Sequence, residues 1–187
     1  MSAVRKHEPK ENRHYTYADY CTWDDDERWE LIDGVPYAMA APLIAHQRVS
    51  RDIVMQIGQF LRGKPCEVFY APTDVRLNAD TRDDTVVQPD LIVVCDESKL
   101  NERGCAGAPD MAVEILSPSS VEHDKVRKYK LYLKYGVREY WIVDPKAKTV
   151  VTYILENGDY IRKDYNKTDV VPVFVLEGCF VDFGKVF

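Results

Sequence analysis

The spacing of apolar residues predicts one helix in the first third of the chain, and a capping motif predicts another. From Ala45 to about Arg62, apolar side chains recur at intervals of three and four residues, which is typical of an amphipathic helix. Gly63 directly follows and is a typical helix stop. Upstream, Thr16 and Asp19 have the spacing of a capping box, so we expect a short helix within YTYADYCTW.

Several apolar runs have the composition of β-strands. RWELIDGVPYAMA contains two such runs joined by Asp33-Gly34, a strong hairpin signal, which predicts strands near 28–32 and 35–40. Three further strands are expected beyond the long helix, separated by turn-rich stretches: EVFYAPTDVRL, VVQPDLIVVCD and DMAVEILS.

The second half of the chain predicts one more helix and a β-rich end. Residues 124–135 have a helical pattern that Gly136 would end, and EYWIVD follows as an apolar strand. TVVTYILENGDYIRKDY predicts a hairpin around Asn157-Gly158, and we expect the tail VVPVFVLEGCFVDFG to be β-rich. This order of elements predicts a mixed α/β sheet with helices packed on it. Residues 1–14 are charged and are expected to form a mobile tail, so that 15–187 form a single domain.

Composition narrows the class of protein. A chain of 187 residues with 45% hydrophobic residues is large enough for one domain with a substantial core. No apolar run approaches the roughly 20 residues that span a bilayer, and the N-terminal residues lack the apolar core of a signal peptide, so we expect a cytoplasmic protein without membrane association. The net charge of −6 argues against a protein that coats nucleic acid through bulk positive charge. This net charge is still compatible with a nuclease, because a divalent cation neutralises part of an acidic site.

The cysteines and histidines show no metal-binding spacing. The chain has five cysteines without a C-x-x-C motif, and its four histidines include no pair at zinc-ligand spacing. We therefore expect the cysteines to be reduced and no structural zinc.

Two carboxylates occupy predicted strands that are otherwise apolar on both faces, Asp90 in QPDLIVV and Glu114 in DMAVEILSPSS. Burying an unpaired polar group costs on the order of 2–7 kcal/mol, and burying an unpaired charge costs more. Each acid therefore needs a partner. A salt bridge or backbone N–H donors would satisfy a single acid. If the two acids converge, Mg²⁺ or Mn²⁺ with oxygen ligands would best relieve their repulsion.

A basic residue for such a site lies on the predicted helix 124–135. At 100° per residue, Lys128 falls within a broad apolar arc, and Lys125 lies near the centre of that arc at the helix start. Lys128 would either extend past Tyr132 to water or point into the acidic site. The arc itself is formed by Val126, Tyr129, Tyr132, Leu133 and Tyr135.

Several stretches resemble the Uma-two family of bacterial endonucleases within the PD-(D/E)XK, or restriction-endonuclease-like, superfamily. They are YTYADY, RWELIDG, HQRVS, VVQPDLIVV, RGCAGAPDMAVEILSPSS and KLYLKYGVREYWIVDP, which together cover about 15–153. The resemblance implies an α/β fold with a mixed central sheet flanked by helices, an N-terminal hairpin and a C-terminal β-hairpin addition. The last thirty or so residues match less distinctively.

The resemblance also implies the residues of the site. Asp90 and Glu114 match the metal-binding positions, for Mg²⁺ or Mn²⁺. The superfamily has a lysine two residues after the glutamate, where this chain has Leu116, and in the Uma-two family the basic residue is displaced onto the following helix, at Lys128 here. Glu30 in the first hairpin matches a further catalytic residue that would complete the site, although its position alone is equally that of an exposed strand residue.

These observations predict a divalent-metal-dependent endonuclease that hydrolyses DNA phosphodiester bonds. His46, Arg48, Arg51 and Lys125 are candidate DNA contacts, although a helix cap would also explain His46 and a solvated helix face the two arginines. A homodimer is expected, because a two-fold assembly matches the symmetry of a duplex.

Two other functions remain open. The first is a non-catalytic binding protein that keeps the nuclease fold, for example in a toxin–antitoxin or mobile-element setting. The second is a metal-dependent hydrolase of small phosphorylated substrates, which the acidic net charge favours.

Overall fold

The computed structural model describes residues 13–23, 27–118 and 121–187, and within them most strands belong to two six-stranded mixed sheets. Sheet A contains, in spatial order, β2 (Val35–Met39), β1 (Arg28–Ile32), β5 (Val86–Val87), β4 (Asp74–Arg76), β8 (Gly104–Ala106) and β7 (Leu100–Asn101). Sheet B contains β12 (Asp159–Asn166), β11 (Thr149–Glu156), β10 (Glu139–Asp144), β9 (Met111–Ile115), β6 (Leu91–Val94) and β3 (Glu67–Tyr70). A separate pair is formed by β13 (Val170–Pro172) and β14 (Phe180–Asp182).

The helices are few and lie close to their predicted positions. They are α1 (Tyr17–Tyr20), α2 (Ile44–Leu61) and a π-helical segment (His123–Lys128) that continues into α3 (Tyr129–Tyr135), with short 3₁₀ turns at Glu97–Lys99 and Phe183–Lys185. The capping box of Thr16 and Asp19 is present, and α3 ends at Gly136 with φ 75°, as predicted. The hairpin of β1 and β2 is also confirmed. At its turn Asp33 and Gly34 have positive φ angles of 47° and 77°, which a type I′ turn requires.

Sheet B lies between two apolar layers. On one face it packs against α2, whose buried residues recur every four positions, and against the C-terminal segment. The residues of this layer include Val49, Ile53, Ile57 and Leu61 of α2 with Leu91, Val93, Met111, Val113, Trp141 and Val143 of the sheet. On the other face, the layer joins sheet B to α3 and sheet A through Ile92, Val94, Ala112, Tyr140, Ile142, Leu131, Tyr132, Ile32, Val75 and Val87. Glu114 shares this second face with Ala112, because alternate residues of a strand point the same way.

Two predicted strands are each divided between the sheets. The stretch 67–77 separates into β3 of sheet B and β4 of sheet A, with Pro72 between them, and 86–96 separates into β5 of sheet A and β6 of sheet B at Gln88-Pro89-Asp90. Proline has no N–H to donate to a strand ladder, so the pairing stops there. The placement of Asp90 inside a strand was therefore wrong, because this residue lies just before β6.

The expectation that all the cysteines are reduced is contradicted, because Cys66 and Cys95 form a disulfide. Cys66 directly precedes β3 and Cys95 directly follows β6, and these antiparallel strands pair Glu67 with Val94. The two cysteines are therefore opposite each other across the end of the ladder. Sequence spacing could not show this, because the register depends on a contact 29 residues apart in the chain. The free cysteines are Cys21, Cys105 and Cys179.

The two ends of the chain also differ from expectation. Residues 1–12 of the expected mobile tail lie outside the described residues. The next two residues are held by ion pairs: Arg13 Nη2 is 2.6 Å from Asp19 Oδ1, and His14 Nε2 is 2.8 Å from Asp84 Oδ2. The C-terminal tail contains only the two three-residue strands β13 and β14. Most of its buried apolar residues lie outside these strands. Over the described ranges, no helix combines the length and apolarity that a membrane crossing needs.

Asp84 is a buried carboxylate that holds the connection between β4 and β5. Its Oδ1 accepts hydrogen bonds from Asn78 and Thr85, and its Oδ2 is 2.6 Å from Arg82 Nη2 and 2.8 Å from His14 Nε2. Burial alone would raise the pKa of the Asp84 carboxyl. The hydrogen bonds from Asn78 and Arg82 outweigh it and hold that pKa below its ordinary value.

We expect Asp84→Asn to lower the free energy of unfolding at neutral pH by about 1–3 kcal/mol, because it leaves buried donors without an acceptor. Since the pKa of Asp84 is lower in the folded state, its contribution to stability is present above the unfolded pKa of about 3.9 and is lost as the pH falls through the lower folded value. The variant should therefore show a shallower loss of stability in acid. Denaturant unfolding at pH 7 and at pH 3 measures both effects. Asp80→Asn, an exposed aspartate of the same connection, is the control, and equal behaviour of the two variants would contradict this account.

Candidate active site

Three predicted site residues come together where the β1–β2 hairpin of sheet A meets sheet B. β6 and β9 are antiparallel with Leu91 opposite Val113, so Asp90 comes opposite Glu114. The Asp90 carboxylate accepts a hydrogen bond from the Ile115 amide, 2.7 Å from Oδ2. Glu30 lies on the face of β1 that points towards sheet B and is 2% exposed.

Lys128 lies between these acids and is not extended towards water. Its ammonium is 2.8 Å from Glu30 Oε1 and 2.8 Å from Glu114 Oε1, and 3.8 Å from Asp124 Oδ1. The lysine side chain is only 3% exposed. One cation therefore bridges the two sheets within the protein interior.

Burial and charge act in opposite directions on these groups. Burial disfavours a charged lysine, yet the carboxylates of Glu114, Glu30 and Asp124 raise the pKa of Lys128 well above its ordinary value. Burial also opposes ionisation of Glu30, but the Lys128 charge and hydrogen bonds from its neighbours lower the pKa of Glu30 to about 2. For Glu114, burial and the nearby acids prevail over Lys128 and raise its pKa well above the ordinary value. Four carboxyl groups, those of Glu30, Asp90, Glu114 and Asp124, therefore act on one another around a single lysine.

Further donors orient each carboxylate. Glu114 Oε1 also accepts a hydrogen bond from the Tyr132 hydroxyl at 2.8 Å. Glu30 accepts from the Gln88 amide N–H at 2.8 Å and pairs through Oε2 with His123 Nε2 at 2.9 Å. Both oxygens of Glu30 are therefore engaged by groups of the protein.

His46 supports Asp90 from the start of α2. Its Nε2 is 3.0 Å from Asp90 Oδ2, whereas its Nδ1 is buried with no hydrogen-bond partner among the described residues. The hydrogen bonds to Asp90 thus use Oδ2 and those to Glu114 use Oε1, and within the described ranges the other oxygen of each carboxylate accepts none.

A cavity of about 370 Å³ opens over these groups. Asp90, Glu114, Glu30 and Lys128 line it, together with residues of β2, of the connection to α2 and of the first turns of α2. Its wall also includes Arg28, Tyr37, His46, Tyr70, Gln88 and His123. The carboxylates are therefore accessible from one concave surface.

The carboxylate oxygens at this surface fit a hard divalent cation that keeps part of its water shell. The described residues contain no group of three or more histidine, cysteine, aspartate or glutamate side chains arranged to hold a metal by themselves. Mg²⁺ is commonly held by one or two carboxylates, with waters completing the octahedron. Asp90 and Glu114 each have one oxygen that no described residue engages, whereas both oxygens of Glu30 are engaged. Glu30 is therefore suited to holding Lys128 and His123 in place.

Three of the candidate DNA contacts lie elsewhere. Arg48, Arg51 and Lys125 are exposed and do not line the cavity, and the Arg51 guanidinium is paired with Asp52 at 2.7 Å. Lys125 and Val126 were expected in the apolar arc, but both are exposed because 123–128 is π-helical, and a π-helix turns less per residue than the 100° assumed.

Sequence reasoning missed several residues of the site. Tyr132 could have been found, because it lies four residues after Lys128 and so on the same helix face. His123, Gln88 and Arg28 carried no such signal, since their positions depend on the π-helical turn and on the crossing between the sheets.

We expect Lys128→Met to lower the free energy of unfolding by about 3–5 kcal/mol, because it leaves two buried carboxylates without their cation. Lys134→Met is the matched control. It removes a lysine of α3 that is 56% exposed and pairs with Asp33 at 3.4 Å, so it should cost less than about 1 kcal/mol. Urea unfolding compares the two, and a loss of similar size in both would contradict the burial argument.

Comparisons with known proteins agree with this architecture. The crystal structure of a putative nuclease belonging to DUF820, from Anabaena variabilis, has a TM-score of 0.75 and 20% identity, covering 92% of this chain and 97% of that one. This likeness concerns the fold and confirms the predicted restriction-endonuclease-like class. An uncharacterized protein of Synechocystis sp. is 26% identical over 155 residues, 81% of this chain and 80% of that protein. The model of the Uma2 family, described as "Putative restriction endonuclease", matches residues 16–181. The chain belongs to the Uma2 family.

Proposed function

We propose that this protein is a divalent-metal-dependent endonuclease that hydrolyses DNA phosphodiester bonds. The family and the fold support a nuclease of the restriction-endonuclease-like kind. The observation that carries the proposal is the pair of Asp90 and Glu114, which lie opposite each other on one cavity wall, each with an oxygen that the described residues do not use.

Asp90 and Glu114 would hold Mg²⁺ or Mn²⁺. When bound, such a cation polarises a phosphoryl oxygen and lowers the pKa of a coordinated water. Burial and the nearby acids Asp124, Asp90 and Glu30 raise the pKa of Glu114, and a bound cation would instead stabilise its ionised form.

The other side chains fix these two ligands. The Ile115 amide and His46 orient Asp90, while Tyr132 and Lys128 orient Glu114. Lys128 also lines the cavity, and the charge of its ammonium would offset the negative charge that develops on the phosphate during hydrolysis. Glu30 keeps Lys128 protonated and in place.

We also propose that 15–187 form a single domain that acts as a homodimer. The apolar layer shared by sheet A, sheet B and α3 supports one domain. A two-fold assembly would present two cavities to the two strands of a duplex.

The proposal predicts cleavage of single- or double-stranded DNA in Mg²⁺ or Mn²⁺ and none in EDTA. Glu114→Gln and Asp90→Asn should each reduce the rate at least about hundredfold, because each removes a ligand of a cation that contributes several kcal/mol. Glu156→Gln changes an exposed glutamate at the end of β11 and should leave the rate unchanged. The measurement is a gel assay of plasmid and oligonucleotide cleavage. Absence of cleavage on every DNA, or cleavage retained after Glu114→Ala, would refute the proposal.

Calorimetry separates the enzyme from a nuclease fold without catalysis. Mg²⁺ binding that is lost on Asp90→Asn favours the enzyme, whereas no binding together with unchanged stability favours the non-catalytic alternative.

A cavity of about 370 Å³ is also within the size range of small-ligand pockets, roughly 300–1,000 Å³. Nucleotides and phosphate monoesters therefore belong in the same assay, and turnover of these substrates without DNA cleavage would establish the small-substrate hydrolase.

A further inference from the structure

Arg28 is a cation of the cavity wall whose charge is not paired with a carboxylate of the residues that the structure describes. It begins β1, two residues before Glu30, and it lines the cavity. Its Nε and Nη2 donate to the same acceptor, the side-chain oxygen of Gln88, at 3.0 Å and 2.7 Å. Across the described ranges, no carboxylate lies within ion-pair distance of Arg28.

The amide of Gln88 is fixed in the orientation that this contact needs. Its Nε2 donates to Asp74 Oδ1 at 2.9 Å and to the Tyr20 hydroxyl at 3.0 Å, and that hydroxyl in turn donates to Asp74 Oδ1 at 3.0 Å. With its nitrogen engaged by these acceptors, the amide oxygen must face Arg28. The carboxylate of Asp74 therefore acts on Arg28 only through a neutral group.

This arrangement differs from that of most arginines in the structure. Many are paired directly with a carboxylate: Arg13 with Asp19, Arg51 with Asp52, Arg76 with Asp83, Arg82 with Asp84, Arg138 with Asp110 and Arg162 with Asp164. A neutral amide holds the Arg28 guanidinium in one position without compensating its charge. An arginine side chain carries five N–H donors. Gln88 engages Nε and Nη2 of Arg28, and no described residue engages Nη1, which can therefore bind an anion.

We propose that Arg28 binds a phosphate of the substrate strand beside Asp90 and Glu114, and that Gln88 is the positioning residue for its guanidinium. The proposal rests on the proposed function. It specifies which positively charged side chain attracts the DNA backbone to a cavity lined by acidic residues. A planar guanidinium suits phosphate oxygens, and fixing it in advance reduces the entropy lost on binding. The candidate contacts Arg48, Arg51 and Lys125 do not line the cavity, so Arg28 takes the place expected of them.

The first experiment measures the binding of a fluorescent DNA oligonucleotide by anisotropy, with Ca²⁺ replacing Mg²⁺, over a series of salt concentrations. Arg28→Met should raise Kd about tenfold, and it should make the slope of log Kd against log salt shallower by about 0.7–0.9, the contribution of one phosphate contact. Arg28→Lys should retain most of the slope. Arg162→Met, on the far edge of sheet B, removes a paired arginine that does not line the cavity and should change neither quantity.

The second experiment moves one negative charge without changing the net charge of the protein. Asp74→Asn combined with Gln88→Glu reverses the hydrogen bond between these two side chains, and Tyr20 can donate to the introduced carboxylate. The exchange places that carboxylate against Arg28. Stability in urea should stay close to that of the wild type, whereas Kd and the salt slope should shift as they do in Arg28→Met.

The results separate this inference from the proposed function. Wild-type protein that binds DNA through Arg28 but never cleaves it keeps the inference and refutes the endonuclease. If the wild type cleaves DNA but Arg28→Met and the control Arg162→Met have the same KM, Kd and salt slope, the role of Arg28 is overturned while the endonuclease proposal stands. A wild-type binding curve in the charge-exchanged variant would also overturn it, and a wild type that neither binds nor cleaves DNA overturns both.

Discussion

The rest of the site depends on the contact of one buried ammonium with two buried carboxylates. Lys128 lies 2.8 Å from Glu30 on sheet A and 2.8 Å from Glu114 on sheet B, and it comes from a third element, the π-helical segment. None of these buried charges would be tolerated alone, because breaking a buried ion pair costs about 3–5 kcal/mol. Together they connect the two sheets. Asp90 and Asp124 act on Glu114 as further nearby acids, and this concentration of carboxyl groups suits the site to a cation.

The chain reaches this site by passing between the sheets. Between β5 and β6 it leaves sheet A for sheet B through Gln88, Pro89 and Asp90. This short crossing supplies the amide N–H that Glu30 accepts, the side-chain oxygen that holds Arg28 and the carboxylate opposite Glu114. The interruption that Pro89 imposes on strand pairing thus leaves polar groups of Gln88 and Asp90 at the cavity wall. The same crossing contributes to both the candidate cation site and the candidate phosphate contact.

Much of the fold could be predicted because its signals are local. The turn at Asp33-Gly34, the four-residue spacing along α2 and the stop at Gly136 each depend on a few neighbouring residues. The two acids stood out because carboxylates interrupted apolar runs. The division into two sheets, the Cys66–Cys95 pair and the orientation of Arg28 depend on register between distant segments, which a single sequence does not encode locally. The π-helical turn changed the predicted helix faces, so Lys125 became exposed although Lys128 is buried.

The central claim is that Asp90 and Glu114 hold one divalent cation beside Lys128. Anomalous scattering from a crystal soaked in Mn²⁺ tests it most directly. The account predicts a single strong peak in the cavity, with one oxygen of Asp90 and one of Glu114 at a coordination distance of about 2.1 Å and with Lys128 still in contact with Glu30. A crystal in which Mn²⁺ is absent from this cavity, or binds there without these two carboxylates, would contradict it.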